Sequence, residues 1–269
     1  MKIFPSLFQT SIANLPLELN IDSVNLVNSW LKYQEMIDDT KVPGYVEFDQ
    51  MNIKIEGINN HPEKIRQGQS MVVSARARLM KTSSIEAYFD LPIGRKDEFF
   101  TFHGKTASFP AKSLNPMMEP LAHVGFSKGN IERVEFYGLA KKDTAVGRME
   151  FLYSDLEVMV IKKDKMKEGQ VAENKFLSAV TKALLHKNNP LDGNAPRIGT
   201  MSFIRDPNKG FFNYYWKTIQ SGLVNTILPG KKKNATDMDW ASFKNQWQNV
   251  LLQDREDLIL HDGKRKKRK

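Results

Sequence analysis

The sequence predicts a mainly β fold with C-terminal helices, α+β in class: a long curved antiparallel sheet forming an open trough, closed by amphipathic helices. Three observations predict it. Up to about residue 163 apolar and polar residues alternate with period 2, and beyond it the period changes to 3.6. Several alternating runs also exceed the usual strand of about 5 to 6 residues, and each of these slips phase once along its length. The longest is "GRMEFLYSDLEVMVIKK", residues 147–163. Its apolar residues fall at Met149, Phe151 and Tyr153, then resume one position out of phase at Leu156, Val158 and Val160. A single-residue slip is what a β-bulge leaves in sequence, because the extra residue inverts the side-chain parity beyond it.

Taken in order, Leu17, Leu19 and Ile21 alternate, the phase slips at Asp22 and Ser23, and Val24 and Leu26 continue. "VNS" at 27–29 predicts a turn into a run over 30–36. Val46 and Phe48 alternate next, and Met51, Ile53 and Ile55 follow on the other parity. Three runs with the same defect predict a shared curvature, since a bulge adds bend and twist to a strand.

"SMVVSARARLM", "SIEAYFDLP" and "EFFTFHGKTASF" alternate without a slip, so each has one apolar and one wet face, as antiparallel strands do. The strands at 71–80, 85–91, 99–109 and 145–161 are expected in one continuous sheet. "SLNPMMEPLA" (113–122) interrupts them. Ser113 is placed to cap a short helix, with Leu114, Met117, Met118 and Leu121 on one side and Pro116 and Pro120 limiting its length.

Phe176, Leu177, Val180 and Leu184 form the stripe of a helix over 171–187, and "NNPLDGNAP" ends it. A short strand follows in "RIGTMSFIRD". Phe211, Phe212, Tyr215, Trp216, Ile219, Leu223 and Ile227 then mark a second helix over 209–227. Trp240, Phe243, Trp247, Val250 and Leu251 mark a third over 238–258, ahead of a basic tail. The chain therefore divides into a curved sheet (1–163), a helix-strand-helix closing segment (164–230), and a basic linker, amphipathic helix and tail (231–269).

Composition narrows the function. The chain has 269 residues, 41% of them hydrophobic, enough for a sizeable core, and no cysteine, hence no disulfide or thiolate site. The net charge is +9. Lys231, Lys232 and Lys233 with Lys264, Arg265, Lys266, Lys267, Arg268 and Lys269 account for all of it, leaving the body formally neutral. A nucleic-acid groove spreads its cations through the fold between aromatic platforms, so no nucleic acid is expected. Six tail charges beside Trp240 and Trp247 instead fit either a solubilising end or adsorption to an anionic membrane surface.

No catalytic or metal site is expected. His61, His103, His123, His186 and His261 are scattered without a second ligand at metal spacing, and there is no phosphate loop or nucleophile elbow. Asp22 and Asp155 sit at phase slips, where a short polar residue eases a bulge. Arg76 and Arg78 alternate on one strand as a solvated face does, or could meet an anionic headgroup. The first 20 residues carry neither an export signal nor an anchor, since the apolar run ends at Pro5.

The blocks "FPAKSLNPMMEPLA", "SKGNIERVEFYG" and "AVGRMEFLYSDLEV", with "LPLELNIDSVNLVNSWLKYQE", "VPGYVEFDQMNIKIEGINN" and "GFFNYYWKTIQSGL", stand in an order that resembles the C-terminal region of the AsmA-like family, the AsmA/TamB group of bacterial envelope proteins. The resemblance covers most of residues 15–227. It implies a trough-shaped sheet with an apolar interior in a periplasmic, inner-membrane-anchored protein that moves phospholipid and supports outer-membrane assembly, with envelope protein partners. This chain lacks the anchor and most of that length, so it is expected to be a C-terminal fragment of such a protein, the favoured reading, or else a short soluble relative whose compartment is open. The expected partner is phospholipid, with no cofactor. The expected lipid-binding groove is Val73, Ala75, Ala77, Leu79, Ile85, Ala87, Phe89, Leu91, Phe100, Phe102, Met149 and Phe151. The alternative is a structural or protein-interaction domain whose groove is filled by its own helices.

Overall fold

A computed structural model describes residues 4–36, 42–161 and 185–227. Among these the chain forms one open, nine-stranded antiparallel sheet with a C-terminal helix. The strands are β1 (Asn20–Glu35), β2 (Gly44–Asn59), β3 (Ser70–Leu79), β4 (Ser83–Pro92), β5 (Phe100–Thr106), the two-residue β6 (Phe109–Pro110), β7 (Val124–Ala140), β8 (Thr144–Val160) and β9 (Ile198–Ile204). They lie in chain order, β1-β2-β3-β4-β5-β7-β8-β9, and β6 pairs with β7. The helices are α1 (Phe8–Ala13), α2 (Pro62–Arg66), α3 (Asn115–Ala122) and α4 (Phe211–Ile227). The four expected strand runs share this sheet. β9 adds to it as the last strand, so the segment after residue 164 completes the sheet as well as carrying a helix.

The phase slips in β2 and β8 are bulges. The β2–β3 register shifts between Asp49 and Asn52, with Gln50 at φ +50°. In β8 the residue is Asp155, at φ +51°, opposite Gly129 at φ +116°. The extra residue restores facing: Met149, Phe151 and Tyr153 before it and Leu156 and Val158 after it are buried in one core. In β1 the structure corrects the expectation. The register is regular through Asp22 and Ser23 and shifts at Asn28, φ +47°, so "VNS" is a bulge inside one 16-residue strand and not a turn. β1 is an edge strand with most side chains exposed, among them Val27 at 73% and Trp30 at 59%, so burial does not impose a clean alternation on it.

Both prolines are accommodated in the helix expected around residue 115, Pro116 in its first turn and Pro120 within. Ser113 does not cap it. A 3-10 turn over Ala111–Leu114 leads in, the N-cap is Leu114, and no side chain accepts there. Asn115 instead ties the helix to β7, accepting from the Phe126 N–H at 2.8 Å and donating to the Phe126 carbonyl at 3.0 Å.

The core lies on one face of the sheet, under α1, α3 and α4. α4 packs against β8 and β9 so closely that a Cβ on Gly199 would stand 2.6 Å from the Gly222 carbonyl oxygen. It also takes up the outer edge of β9: the Thr200 N–H donates to Asn225 Oδ1 at 2.8 Å and the Ser202 N–H to Ser221 Oγ at 2.9 Å. Those donors would otherwise present a strand edge to another chain. At its other side α4 meets β1, where the Tyr33 and Phe212 rings lie 5.5 Å apart and Asn213 donates to Glu35 at 2.7 Å. One helix thus touches both edge strands. The helices expected over 171–187 and 238–258, and the tail with Trp240 and Trp247, lie outside the described residues.

Candidate functional site

The strand alternation that buries one face of β2, β3 and β4 also leaves part of that face uncovered by the described residues. α4 lies at the β8–β9 side, and toward β1 the sheet and the N-terminal turn of α4 enclose a cavity of 530 Å³. Val73, Ala75 and Ala77 of β3 and Ile85, Ala87, Phe89 and Leu91 of β4 form its floor. These are neighbours across the strands, with Val73 opposite Phe89, Ala75 opposite Ala87 and Ala77 opposite Ile85. The small alanines at the centre of the floor leave room that larger side chains would occupy. Among the lining side chains only Ser11 and Tyr215 carry a polar atom. Phe8 and Phe212, which also line it, are 48% and 41% exposed, so the cavity reaches solvent between α1 and the start of α4.

A smaller cavity of 140 Å³ continues along the sheet and shares Phe48, Ile85, Phe212 and Tyr215 with the first. Leu79 lines this second cavity. Phe100, Phe102, Met149 and Phe151 line neither. They are at most 1% exposed, and protein fills the space above the first three: Phe100 lies 5.7 Å from the Phe211 ring, Phe102 5.3 Å from the Tyr215 ring, and Met149 beneath Gly222. Among the described residues the expected groove therefore divides into a half over β3 and β4 that they leave unfilled and a packed half under α4.

Sequence reasoning did not assign the β2 side of the cavity, although Met51, Ile53 and Ile55 carried the signal in their alternation. It also missed a polar cluster beside Phe212. Glu35, only 8% exposed, accepts from the Tyr33 hydroxyl at 3.0 Å and from Asn213, and pairs with Lys209 at 3.5 Å. Burial and the Glu35 charge push the Tyr33 hydroxyl well above the ordinary tyrosine range. One helical step on, burial pulls the Lys217 ammonium down, with Glu35 opposing and Lys209 adding to the effect.

The opposite face carries a polar hollow of 720 Å³, larger than the apolar cavity. Its groups are already engaged with one another. Glu86 pairs with Arg76 at 3.6 Å and Lys105 at 3.1 Å, and Tyr88, His103 and Tyr137 stack at 4.8 and 5.4 Å. Arg78 donates to the Lys81 carbonyl. Arg76 and Arg78 are thus part of a solvated face. Asp155 is 71% exposed and pairs with Lys128 at 3.6 Å, as a bulge residue does. Among the described residues no cluster of three or more metal-ligating side chains is gathered, and no helix is long and apolar enough to cross a membrane.

Compared with known proteins, the chain matches no family model, no curated protein and no solved structure.

Proposed function

We propose that the chain is a non-enzymatic, AsmA-like module that holds or conducts phospholipid acyl chains in an apolar trough, in the periplasmic part of a larger inner-membrane-anchored protein. The observation that carries the reading is the 530 Å³ cavity with an almost wholly apolar lining and a side open to solvent. Its volume falls within the range of about 300 to 1,000 Å³ usual for small-molecule sites. Its chemistry suits hydrocarbon, because burying an acyl chain gains about 0.8 kcal/mol per methylene and calls for no catalytic group. The bulges of β1, β2 and β8 supply the bend that turns a twisted sheet into a trough. Transport to the outer membrane and its assembly follow from the family resemblance.

One observation favours the second reading, a structural or protein-interaction domain with a closed core: the half of the face under α4 is filled, with Phe100, Phe102, Met149 and Phe151 packed. The two readings part at Ala77. Its side chain lines the cavity and is not fully buried, whereas Phe89 lies 5.2 Å from the Tyr215 ring and helps to seat α4. In a trough, the carboxylate of Ala77→Glu keeps water, so melting changes little while binding of fluorescent phospholipid is lost. In a closed core the same carboxylate is stranded at a cost of several kcal/mol and the protein unfolds. Wild-type protein that takes up no phospholipid, with an unfolded Ala77→Glu variant, decides for the closed domain.

A further inference from the structure

The polar cluster at the side of the cavity joins residues from the two ends of the described chain. Lys209, Asn213 and Lys217 follow one another at four-residue spacing, so they form a stripe along α4 and the turn before it. Phe212, Trp216 and Ile219, which line the smaller cavity, form the adjacent stripe. Two cations thus run alongside an apolar slot.

Among the described residues their charges are not balanced. Glu35 is the carboxylate of the cluster, and it pairs with Lys209 at 3.5 Å while accepting from Asn213 at 2.7 Å and Tyr33 at 3.0 Å. Lys217 donates to the neutral Gln220 amide at 2.9 Å, and among the described residues no carboxylate lies within ion-pair distance of it. Lys217 is partly buried, and that burial lowers its pKa, with Glu35 opposing and Lys209 adding to the effect. A half-buried ammonium with a second cation on the same helix stripe is stabilised by an anion placed beside it. Nearby, the Trp216 Nε1–H is buried and has no acceptor among the described residues. A buried donor without an acceptor is costly, and an oxygen of a bound molecule would satisfy it.

We propose that Lys209 and Lys217 form an anion seat along the α4 flank of the apolar cavities, selecting amphiphiles whose acyl chain enters the cavity and whose head carries a negative charge. The inference rests on the acyl-chain reading above and adds the class of headgroup. A fatty-acid carboxylate and a phospholipid phosphodiester share this chemistry.

The test uses the full chain and three monomeric probes with the same oleoyl chain: oleate, oleoyl lysophosphatidylglycerol, and uncharged monooleoylglycerol. Affinities are measured by titration for the wild type and the Lys209→Gln/Lys217→Gln variant. The wild type is expected to bind an anionic probe about tenfold tighter than the uncharged one, the scale of one charge-assisted contact. The tighter of oleate and the lysophospholipid identifies the head. In the double variant that preference disappears while monooleoylglycerol binding is unchanged. A preference that survives the substitutions, or equal wild-type affinity for all three probes, overturns the anion seat and leaves the groove standing. Wild-type protein that binds none of them overturns the groove reading, and the seat with it. Should the double variant fail to fold, Lys217→Gln alone removes a buried charge without stranding Glu35. It is expected to fold and to lose most of the preference, and full retention of the preference overturns the seat.

Discussion

At the residue scale, a partly buried carboxyl without an ion partner among the described residues shows what a helix packed on the sheet tolerates. Glu119 of α3 lies against Gly125 of β7, and burial raises its carboxyl pKa above the usual range. A carboxyl whose folded pKa exceeds the unfolded one favours folding fully only below the unfolded value, and that contribution is lost as pH rises through the folded value. At neutral pH the charged Glu119 therefore costs stability. Glu119→Gln is expected to melt higher than the wild type at pH 7, and the gain should vanish near about pH 3, where both forms are neutral. Melting curves at the two pH values check it; a variant destabilised at pH 7 would mean that Glu119 has an ion partner. Such a residue is not legible in sequence, because a glutamate between two prolines reads as a solvated helix position.

At the scale of elements, the strands were legible wherever one face is buried, and obscure where neither or both are. β3, β4 and β5 alternate cleanly and stand where the alternation put them. β1 is exposed at most positions, so its bulge at Asn28 was misplaced to Asp22 and Ser23. β7 was not singled out as a strand of its own, although it is as long as β8. Its register shifts at three places between Phe126 and Arg133, which scatters the apolar positions. The helix stripe over 209–227 was legible, and its partner was not. The contact of α4 with β9 depends on two glycines 23 residues apart, and a glycine in a helix ordinarily signals weakness rather than close approach. Gly199→Ala pushes a methyl group into the Gly222 carbonyl and the Thr226 hydroxyl, both on α4. Overpacking of this kind is expected to cost about 1 to 3 kcal/mol and to expose the β9 edge. Denaturant unfolding, with hydrogen exchange at Thr200 and Ser202, measures both effects. Unchanged protection at those two amides would show that α4 does not cover that edge.

At the scale of the whole molecule, the candidate site is a property of topology. The alternation of β3 and β4 is legible in a single segment, so most of the cavity floor could be named from sequence. The polar cluster beside Phe212 could not, because Glu35 and Asn213 meet across a separation of 178 residues and each looks ordinary in its own segment. The division into an open and a filled half was equally hidden. It depends on where α4 settles, which packing against Gly199 and Met201 decides. Two edge strands held to one helix leave part of the greasy face of β2, β3 and β4 uncovered by the described residues, and the acyl-chain account turns on what occupies that part.

Photo-crosslinking along β3 and β4 tests that account most directly, since period 2 is a signature that lipid adsorbed to the outside of the protein would not reproduce. A photoreactive residue is placed in turn at Ala75, Ala77 and Ala87, and at Ser74, Arg76 and Glu86, which point to the opposite face. Each variant is irradiated with phospholipid vesicles, and attached lipid is weighed by mass spectrometry. The account predicts lipid at the three alanine positions and none at the other three. Lipid on both faces alike, or on neither while the fold remains intact, would contradict it.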